Sequence, residues 1–165
     1  MDYVHFYNKI SAPFTKNKAL MMILKIVYKI LPIIVFISYP VLLGYLIYTH
    51  EPKLLRCITV PLGVFLSLTV FRALVNAQRP YEKYGTTPLF SKETKGKSFP
   101  SRHTASAAVI AMAMLYVNPV IGMVYLSVAF LIALSRVVGG VHFPRDVAIG
   151  FLYAVTLGGI FLYLL

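Results

Sequence analysis

Cysteine and acidic residues are scarce in this 165-residue chain. The single cysteine, Cys57, excludes an internal disulfide. Only five Asp and Glu residues stand against 16 Lys and Arg, which gives a formal net charge of +11. Because Mg²⁺ and Ca²⁺ are usually held by carboxylate oxygens, this scarcity argues against a binding site for either ion.

Charged residues are also missing from long stretches of the chain. Residues 30–49, 104–135 and 147–165 contain no charged side chain, and residues 57–78 contain only Arg72. Hydrophobic residues make up 59% of the sequence, whereas soluble domains have about 45–50%. The excess of apolar side chains therefore predicts an integral membrane protein.

The uncharged stretches predict about five transmembrane helices. A helix needs about 20 apolar residues to cross the bilayer core, so the run 104–135 is too long for one span. Asn118–Pro119 divides it, because proline is tolerated at a helix start but not in the interior. The predicted spans are residues 30–49, 55–78, 101–117, 119–137 and 145–165. We therefore expect one domain, residues 1–165, folded as an all-α integral membrane bundle.

Residues 1–29 allow two interpretations. Aromatic and apolar side chains recur there at helical spacing with lysines nearby, which indicates a helix lying in the membrane interface. These side chains are Tyr3, Phe6, Tyr7, Ile10 and Phe14. A plain extension or loop outside the membrane fits equally well, and residues 19–29 could lengthen the first span. Lys25 and Lys29 interrupt the first apolar stretch, so a signal peptide is not indicated.

A basic, polar segment lies between the second and third predicted spans. Residues 79–102 carry several Lys and Arg against only Glu82 and Glu93. Part of this segment is a solvated loop, and it could also concentrate anions at the mouth of a site. Because the basic residues border apolar runs, we expect membrane lipids and an anionic substrate as partners, and no nucleic acid.

Antiparallel spans bring the unusual polar residues to one membrane face. That face receives the ends of the second and fourth spans and the starts of the third and fifth. The polar residues at those places are Arg72, Arg79, Ser101, Arg102, His103, Ser135, Arg136, His142, Arg145 and Asp146. Since ionisable side chains are costly in membrane helices, their concentration predicts an active site at this face.

The residue types at this face suit phosphate chemistry. Arginine guanidinium groups are planar donors that match phosphate oxygens. Arg72 and Arg79 are seven residues apart, which would place them on nearly one face of a helix. One histidine can attack phosphorus while another protonates the leaving oxygen. Asp146 can orient His142, or simply stabilise the start of a helix. Two histidines without a third ligand do not indicate zinc, so we expect no metal and no cofactor.

Three short motifs occur in order along the chain. They are Arg72-x6-Arg79-Pro80, then Pro100-Ser101-Arg102-His103, and then Ser135-Arg136-x5-His142-x3-Asp146. Together they resemble the three signature motifs of the type 2 phosphatidic acid phosphatase superfamily. That superfamily includes bacterial lipid phosphatases, glucose-6-phosphatase and the vanadium haloperoxidases. The motifs cover residues 72–146, which we expect to form the catalytic core.

The resemblance implies a role for each motif residue. His142 looks like the nucleophile that forms a phosphohistidine, Asp146 like its activating partner, and His103 like the general acid and base. The residues implied in phosphate binding are Arg72, Arg79, Ser101, Arg102 and Arg136. Two positions depart from the family pattern, since Arg72 replaces the usual Lys and Arg102 the usual Gly. The added cation at Arg102 would favour a highly charged head such as a diphosphate.

The implied function is metal-independent hydrolysis of a lipid phosphate or lipid diphosphate at the bacterial plasma membrane. Candidate substrates are phosphatidylglycerophosphate, phosphatidate and undecaprenyl pyrophosphate. Two alternatives are a non-catalytic lipid-phosphate binder or transporter, which would not need both histidines, and a vanadate-dependent haloperoxidase, whose relatives are soluble.

The membrane side of the site stays open. Nearby lysines predict a cytoplasmic site, whereas bacterial relatives mostly act at the outer face. The oligomeric state is not indicated.

Overall fold

The computed structural model describes residues 3–90 and 94–164, so Glu93 of the predicted basic segment lies outside it. Within the described residues the chain forms seven α-helices and a π-helical turn at Ile160–Leu164 that continues the last of them. The helices are α1 (Tyr3–Lys16), α2 (Lys18–Tyr48), α3 (Leu54–Val75), α4 (Pro80–Tyr84), α5 (Arg102–Val117), α6 (Pro119–Val138) and α7 (Pro144–Gly159).

The long helices have the length and apolar character of membrane spans. Among the described residues, four segments meet both conditions: Lys18–Tyr48, Leu54–Tyr84, Pro119–Val138 and Pro144–Leu164. Large apolar side chains point outward from these segments, as at Leu74, which is 79% exposed. The prediction of an all-helical integral membrane protein is confirmed, and the third predicted span, residues 101–117, corresponds to the shorter helix α5.

Helix α5 is the centre of the bundle. All its residues from 104 to 114 are buried, and it packs against α2, α3, α6 and α7. Five of the buried residues are alanines, whose small side chains let neighbouring helices approach closely. At 16 residues it is shorter than the roughly 20 that a lipid-exposed span needs. The surrounding helices therefore separate α5 from lipid.

Two helix starts follow from asparagine caps. The Asn118 side chain accepts hydrogen bonds from the amides of Val120 and Ile121, and Pro119 occupies the first helical position of α6. The predicted break at this point is confirmed. Asn17 caps α2 in the same way, so the helix of the first span starts at Lys18, and the alternative that residues 19–29 lengthen this span is confirmed. The lysines that interrupt the apolar run stay inside the helix, as long amphipathic side chains can.

The turn after α3 corrects a prediction about Arg72 and Arg79. Helix α3 ends at Val75, and Asn76 takes a left-handed conformation with φ of 41°. Arg79 therefore lies beyond the helix, as the residue that caps the short α4. The two arginines do not share one helix face, and the predicted second span ends three residues early, because a left-handed residue terminates a helix.

Candidate active site

A cavity of about 470 Å³ lies at the ends of α3 and α5. Its wall combines basic, histidine and small polar side chains. The lining residues are Thr69, Arg72, Ala73, Arg79, Thr94, Lys95, Gly96, Lys97, Arg102, His103 and His142. Five of the eight predicted site residues are therefore in the wall, and Ser101, Arg136 and Asp146 are not. Within residues 3–90 and 94–164, no three His, Cys, Asp or Glu side chains are grouped so that they could hold a metal ion.

Two buried arginines connect the cavity to the surrounding loops. Arg72 donates hydrogen bonds to the carbonyl oxygens of Pro100 and Lys97. Arg79 donates to the carbonyl oxygens of Gly96 and Val141, each at 3.1 Å. A guanidinium has five N–H donors, so both side chains retain capacity for an anion while holding the loops in place.

The loop from residue 94 to residue 97 is also held by an acidic side chain. Glu82 accepts hydrogen bonds from the amide of Gly96 at 2.9 Å and from the amide of Arg79 at 2.8 Å. This carboxylate thus pairs with backbone donors next to the cavity. Sequence reasoning treated Glu82 only as part of a basic segment, because nothing in its local pattern points to this distant partner.

His142 is the most deeply buried ionisable group in the cavity wall. It is 1% exposed, and its Nδ1 lies 3.6 Å from Asp146 Oδ2. Burial is the main cause that lowers the pKa of His142, to about 4, because the charged ring would lose hydration. The imidazole is therefore neutral at physiological pH. With Nδ1 facing Asp146, Nε2 is the nitrogen that remains for an electrophile.

The carboxylate of Asp146 combines the two roles considered from the sequence. Its Oδ2 faces His142 and also accepts a hydrogen bond from the amide of Phe143 at 3.1 Å. Phe143 precedes the first turn of α7, so the same oxygen caps that helix. A third donor is the hydroxyl of Ser98, at 2.5 Å. Asp146 is completely buried behind the histidine.

Ser98 is a site residue that sequence reasoning missed. It is fully buried, and its hydroxyl oxygen lies 3.4 Å from His142 Nδ1 as well as contacting Asp146. The residue lies in a polar loop without periodicity, where a serine normally suggests only a turn. Its position two residues before the second motif was the one signal available.

Ser101 connects two helices and does not reach the cavity. Its amide donates to the carbonyl oxygen of Asp146 at 2.8 Å, and its hydroxyl oxygen accepts from Thr104 at 3.0 Å. Gly150 of α7 lies so close that a methyl group there would be 2.7 Å from the Ser101 carbonyl oxygen. The residue thus fixes the start of α5, which carries His103, against α7. Its implied role in phosphate binding stays a prediction.

Arg136 points away from the cavity toward α2. Its guanidinium carbon lies 4.0 Å from the centre of the Tyr28 ring, and its Nη2 donates to the Tyr28 carbonyl oxygen at 3.1 Å. Among the residues that the structure describes, its buried Nε has no hydrogen-bond partner. The implied phosphate contact of Arg136 stays a prediction.

Arg102, in contrast, is an exposed residue in the cavity wall. Its guanidinium carbon lies 5.8 Å from the ring centre of Phe65.

An apolar groove of about 360 Å³ lies beside the cavity. Both contain residues of α3 and α5, and α2 completes the wall of the groove. Phe65 and Ser106 of the groove are one helical turn away from Thr69 and Arg102 of the cavity. The other groove residues are Phe36, Tyr39, Leu43, Ile58, Pro61, Leu62, Val109 and Ile110. A charged cavity therefore borders an apolar groove that reaches into the membrane-spanning part of the bundle.

Two histidines and several arginines around one cavity, in a membrane helix bundle, are typical of a site for a phosphorylated ligand. The chain belongs to the PAP2 superfamily, whose family model matches residues 52–165. This match confirms the resemblance drawn from the three motifs.

One curated relative is the bacitracin transport permease protein BcrC of Bacillus licheniformis. It is 35% identical over 78 residues, which are 46% of this chain and 38% of that protein. The aligned region thus spans well under half the length of this relative.

Two solved structures share the fold. LpxE of Aquifex aeolicus matches with a TM-score of 0.77 and 24% identity, over 96% of this chain and 93% of that one. A transmembrane PAP2 type phosphatidylglycerolphosphate phosphatase from Bacillus subtilis matches with a TM-score of 0.67 and 21% identity, over 95% and 83%.

Proposed function

We propose that the chain hydrolyses a lipid phosphate or lipid diphosphate without a metal ion, through a phosphohistidine formed at His142. The observation that carries this proposal is the single cavity lined by His142, His103 and three arginines. The adjacent apolar groove supports a substrate with a hydrocarbon chain, since such a chain is favourably removed from water there.

In the first step the Nε2 lone pair of neutral His142 attacks phosphorus. The phosphorus–nitrogen bond forms as the bond from phosphorus to the leaving oxygen breaks. His103 donates its proton to that oxygen, so the lipid alcohol or lipid monophosphate leaves with this oxygen protonated and uncharged. Asp146 faces Nδ1 and stabilises the positive charge that develops on the ring.

In the second step water hydrolyses the phosphohistidine. His103, now neutral, takes a proton from water, and the water oxygen attacks phosphorus. The phosphorus–nitrogen bond breaks, its electron pair returns to Nε2, and inorganic phosphate is released. Arg72 and Arg79 offer fixed donors to the phosphoryl oxygens through both steps.

The name of one similar protein supports this proposal directly. One solved neighbour is a phosphatidylglycerolphosphate phosphatase, which acts on a phosphorylated membrane lipid. The relative from Bacillus licheniformis is named for bacitracin transport, which is a different role. We therefore keep phosphatidylglycerophosphate, phosphatidate and undecaprenyl pyrophosphate as candidate substrates, with a bacterial plasma membrane as the setting.

A test compares phosphate release from these three lipids by purified protein in detergent with EDTA. The variant His142→Asn is paired with His50→Asn, because His50 is exposed and lies in the loop between α2 and α3, at the other end of α3 from the cavity. His50 has a φ of 54°, which asparagine tolerates. We expect release by the wild type and by His50→Asn, and a loss of at least about 1,000-fold for His142→Asn.

Each other result has a definite meaning. Unchanged release by His142→Asn would remove this residue as nucleophile. Loss of wild-type activity in EDTA, restored by a divalent metal, would contradict the metal-free route. Binding of the lipids without release would favour the non-catalytic binder, and vanadate-dependent halide oxidation by peroxide would favour the haloperoxidase.

A further inference from the structure

Tyr7 is the most buried side chain described in the N-terminal helix α1. It is 3% exposed, although α1 lies on the surface and is mostly exposed or half-buried. Its hydroxyl donates to the carbonyl oxygen of Thr87 at 3.3 Å and accepts from the amide of Leu89 at 3.1 Å. This one side chain thus connects α1 to the loop that follows α4.

The ring of Tyr7 also covers the turn between α6 and α7. Gly140 has a φ of 77°, and a methyl group there would lie 2.6 Å from the Tyr7 hydroxyl oxygen. At the preceding Gly139, a methyl group would lie 3.2 Å from the rings of Tyr28 and Phe90. Those two rings stack with their centres 4.3 Å apart. The two glycines therefore lie between aromatic side chains, with no space for a side chain of their own.

This turn leads directly to the proposed nucleophile. The carbonyl oxygen of Val141, the residue after the glycine pair, accepts a hydrogen bond from Arg79. His142 follows, and then Phe143, whose ring contacts Tyr3 of α1 at a centre-to-centre distance of 4.9 Å. Helix α1 thus contacts the chain two residues before His142, at Gly140, and one residue after it, at Phe143.

We propose that Tyr7 is a positioning residue for His142. Its ring packs on Gly140 and its hydroxyl ties that contact to the loop at residues 87–89, so that the turn presents the imidazole to the cavity in one orientation. The matching family region begins at residue 52, so this support comes from a part of the chain outside it. The kinetic side of the inference rests on the proposed hydrolase activity.

The kinetic test uses Tyr7→Ala and Tyr7→Phe, with Tyr48→Ala and Tyr48→Phe as matched controls. Tyr48 is 85% exposed and ends α2, whose other end lies beside α1. We expect Tyr7→Ala to lower kcat by about 10- to 100-fold, with a smaller change in KM, because a displaced nucleophile slows the reaction more than it weakens binding. Tyr7→Phe keeps the ring and loses the two hydrogen bonds, so its effect should be smaller.

A second readout needs no activity. Diethyl pyrocarbonate modifies accessible imidazoles, and mass spectrometry measures the rate separately at His142 and at the exposed His5 and His50. We expect faster modification of His142 in Tyr7→Ala and, to a lesser degree, in Tyr7→Phe. The rates at His5 and His50 should match those of the wild type.

These two readouts separate the proposals. If the wild type cleaves no lipid, the proposed function fails, and the modification rates still decide the role of Tyr7. A lowered unfolding temperature with unchanged kcat and unchanged His142 modification would make Tyr7 merely structural and overturn the inference. If Tyr7→Ala does not fold, the same comparison of Tyr7→Phe with the wild type decides the question.

Discussion

At the scale of single residues, His142 and Asp146 form a buried pair at the cavity, on which the proposed mechanism depends. Oδ2 of the fully buried Asp146 faces the His142 ring and accepts hydrogen bonds from the Ser98 hydroxyl and the amide of Phe143. Its Oδ1 lies 3.7 Å from Arg145 Nε. The hydrogen bonds to Oδ2 hold this oxygen in place when the ring gains charge. The imidazole is thereby oriented with Nε2 away from the acid, which is the arrangement that nucleophilic attack requires.

The lowered pKa of His142 predicts a pH-dependent stability. The unfolded chain binds a proton at this ring near pH 6.5, whereas the folded chain binds it only near pH 4. Between these values the unfolded state holds more protons, so stability falls as the pH falls through this window and is complete above it. We expect the unfolding temperature in detergent to drop between pH 7 and pH 4.5, and to drop less in His142→Gln, whose side chain cannot titrate. An equal drop in both proteins would show that His142 does not contribute.

At the scale of helices, the close contact of α5 and α6 shapes the bundle. Gly122 of α6 approaches Leu115 of α5 so closely that a methyl group would lie 2.1 Å from the Leu115 Cα. Backbones can come this near only where one partner has no side chain, as at small-residue contacts between membrane helices. The approach is what allows a 16-residue helix to be enclosed by its neighbours.

This contact predicts a selective effect of alanine substitutions. Gly122→Ala should lower the free energy of unfolding by about 1–3 kcal/mol, because α5 and α6 must separate to admit the methyl group. Gly44→Ala and Gly63→Ala are matched controls, since no described residue lies within 4 Å of a methyl group at either glycine. Both controls should keep or gain stability, as alanine favours helix over glycine. Thermal unfolding in one detergent measures all three, and equal stability of Gly122→Ala and the wild type would disprove the close contact.

At the scale of the whole molecule, the charged cavity adjoins the apolar groove, which supports the proposal of an amphipathic substrate. Arg102 lies where the two meet, with its guanidinium near the Phe65 ring. The charged head and the hydrocarbon chain of one lipid would therefore contact different parts of the same two helices. Because the head and the hydrocarbon chain contact separate surfaces, we expect substrate affinity to depend on the length of the hydrocarbon chain as well as on the phosphate.

Filling the groove should discriminate against long chains. Leu62→Trp places a large ring in the groove wall, whereas Leu66 lies on the same helix with similar exposure, 53% against 52%, and is not in the wall. We expect Leu62→Trp to raise KM for long-chain lipid phosphates by about tenfold, because each excluded methylene forgoes about 0.8 kcal/mol. Leu62→Trp should cleave a short-chain dihexanoyl lipid phosphate with the same KM as the wild type. Leu66→Trp should leave the KM of both the long-chain and the short-chain lipid unchanged. Equal effects of the two tryptophans would place the chain elsewhere.

The class of the fold, the division of the chain at Asn118 and the candidate motif residues could all be predicted from the sequence. These features depend on run length, proline geometry and the cost of charge in lipid, all of which act locally. Three contacts could be found only in the folded protein: Arg136 with Tyr28, Ser98 with Asp146, and Tyr7 with Gly140. Each of those pairs joins residues far apart in the chain, so their contact depends on how the helices pack, which no local pattern encodes.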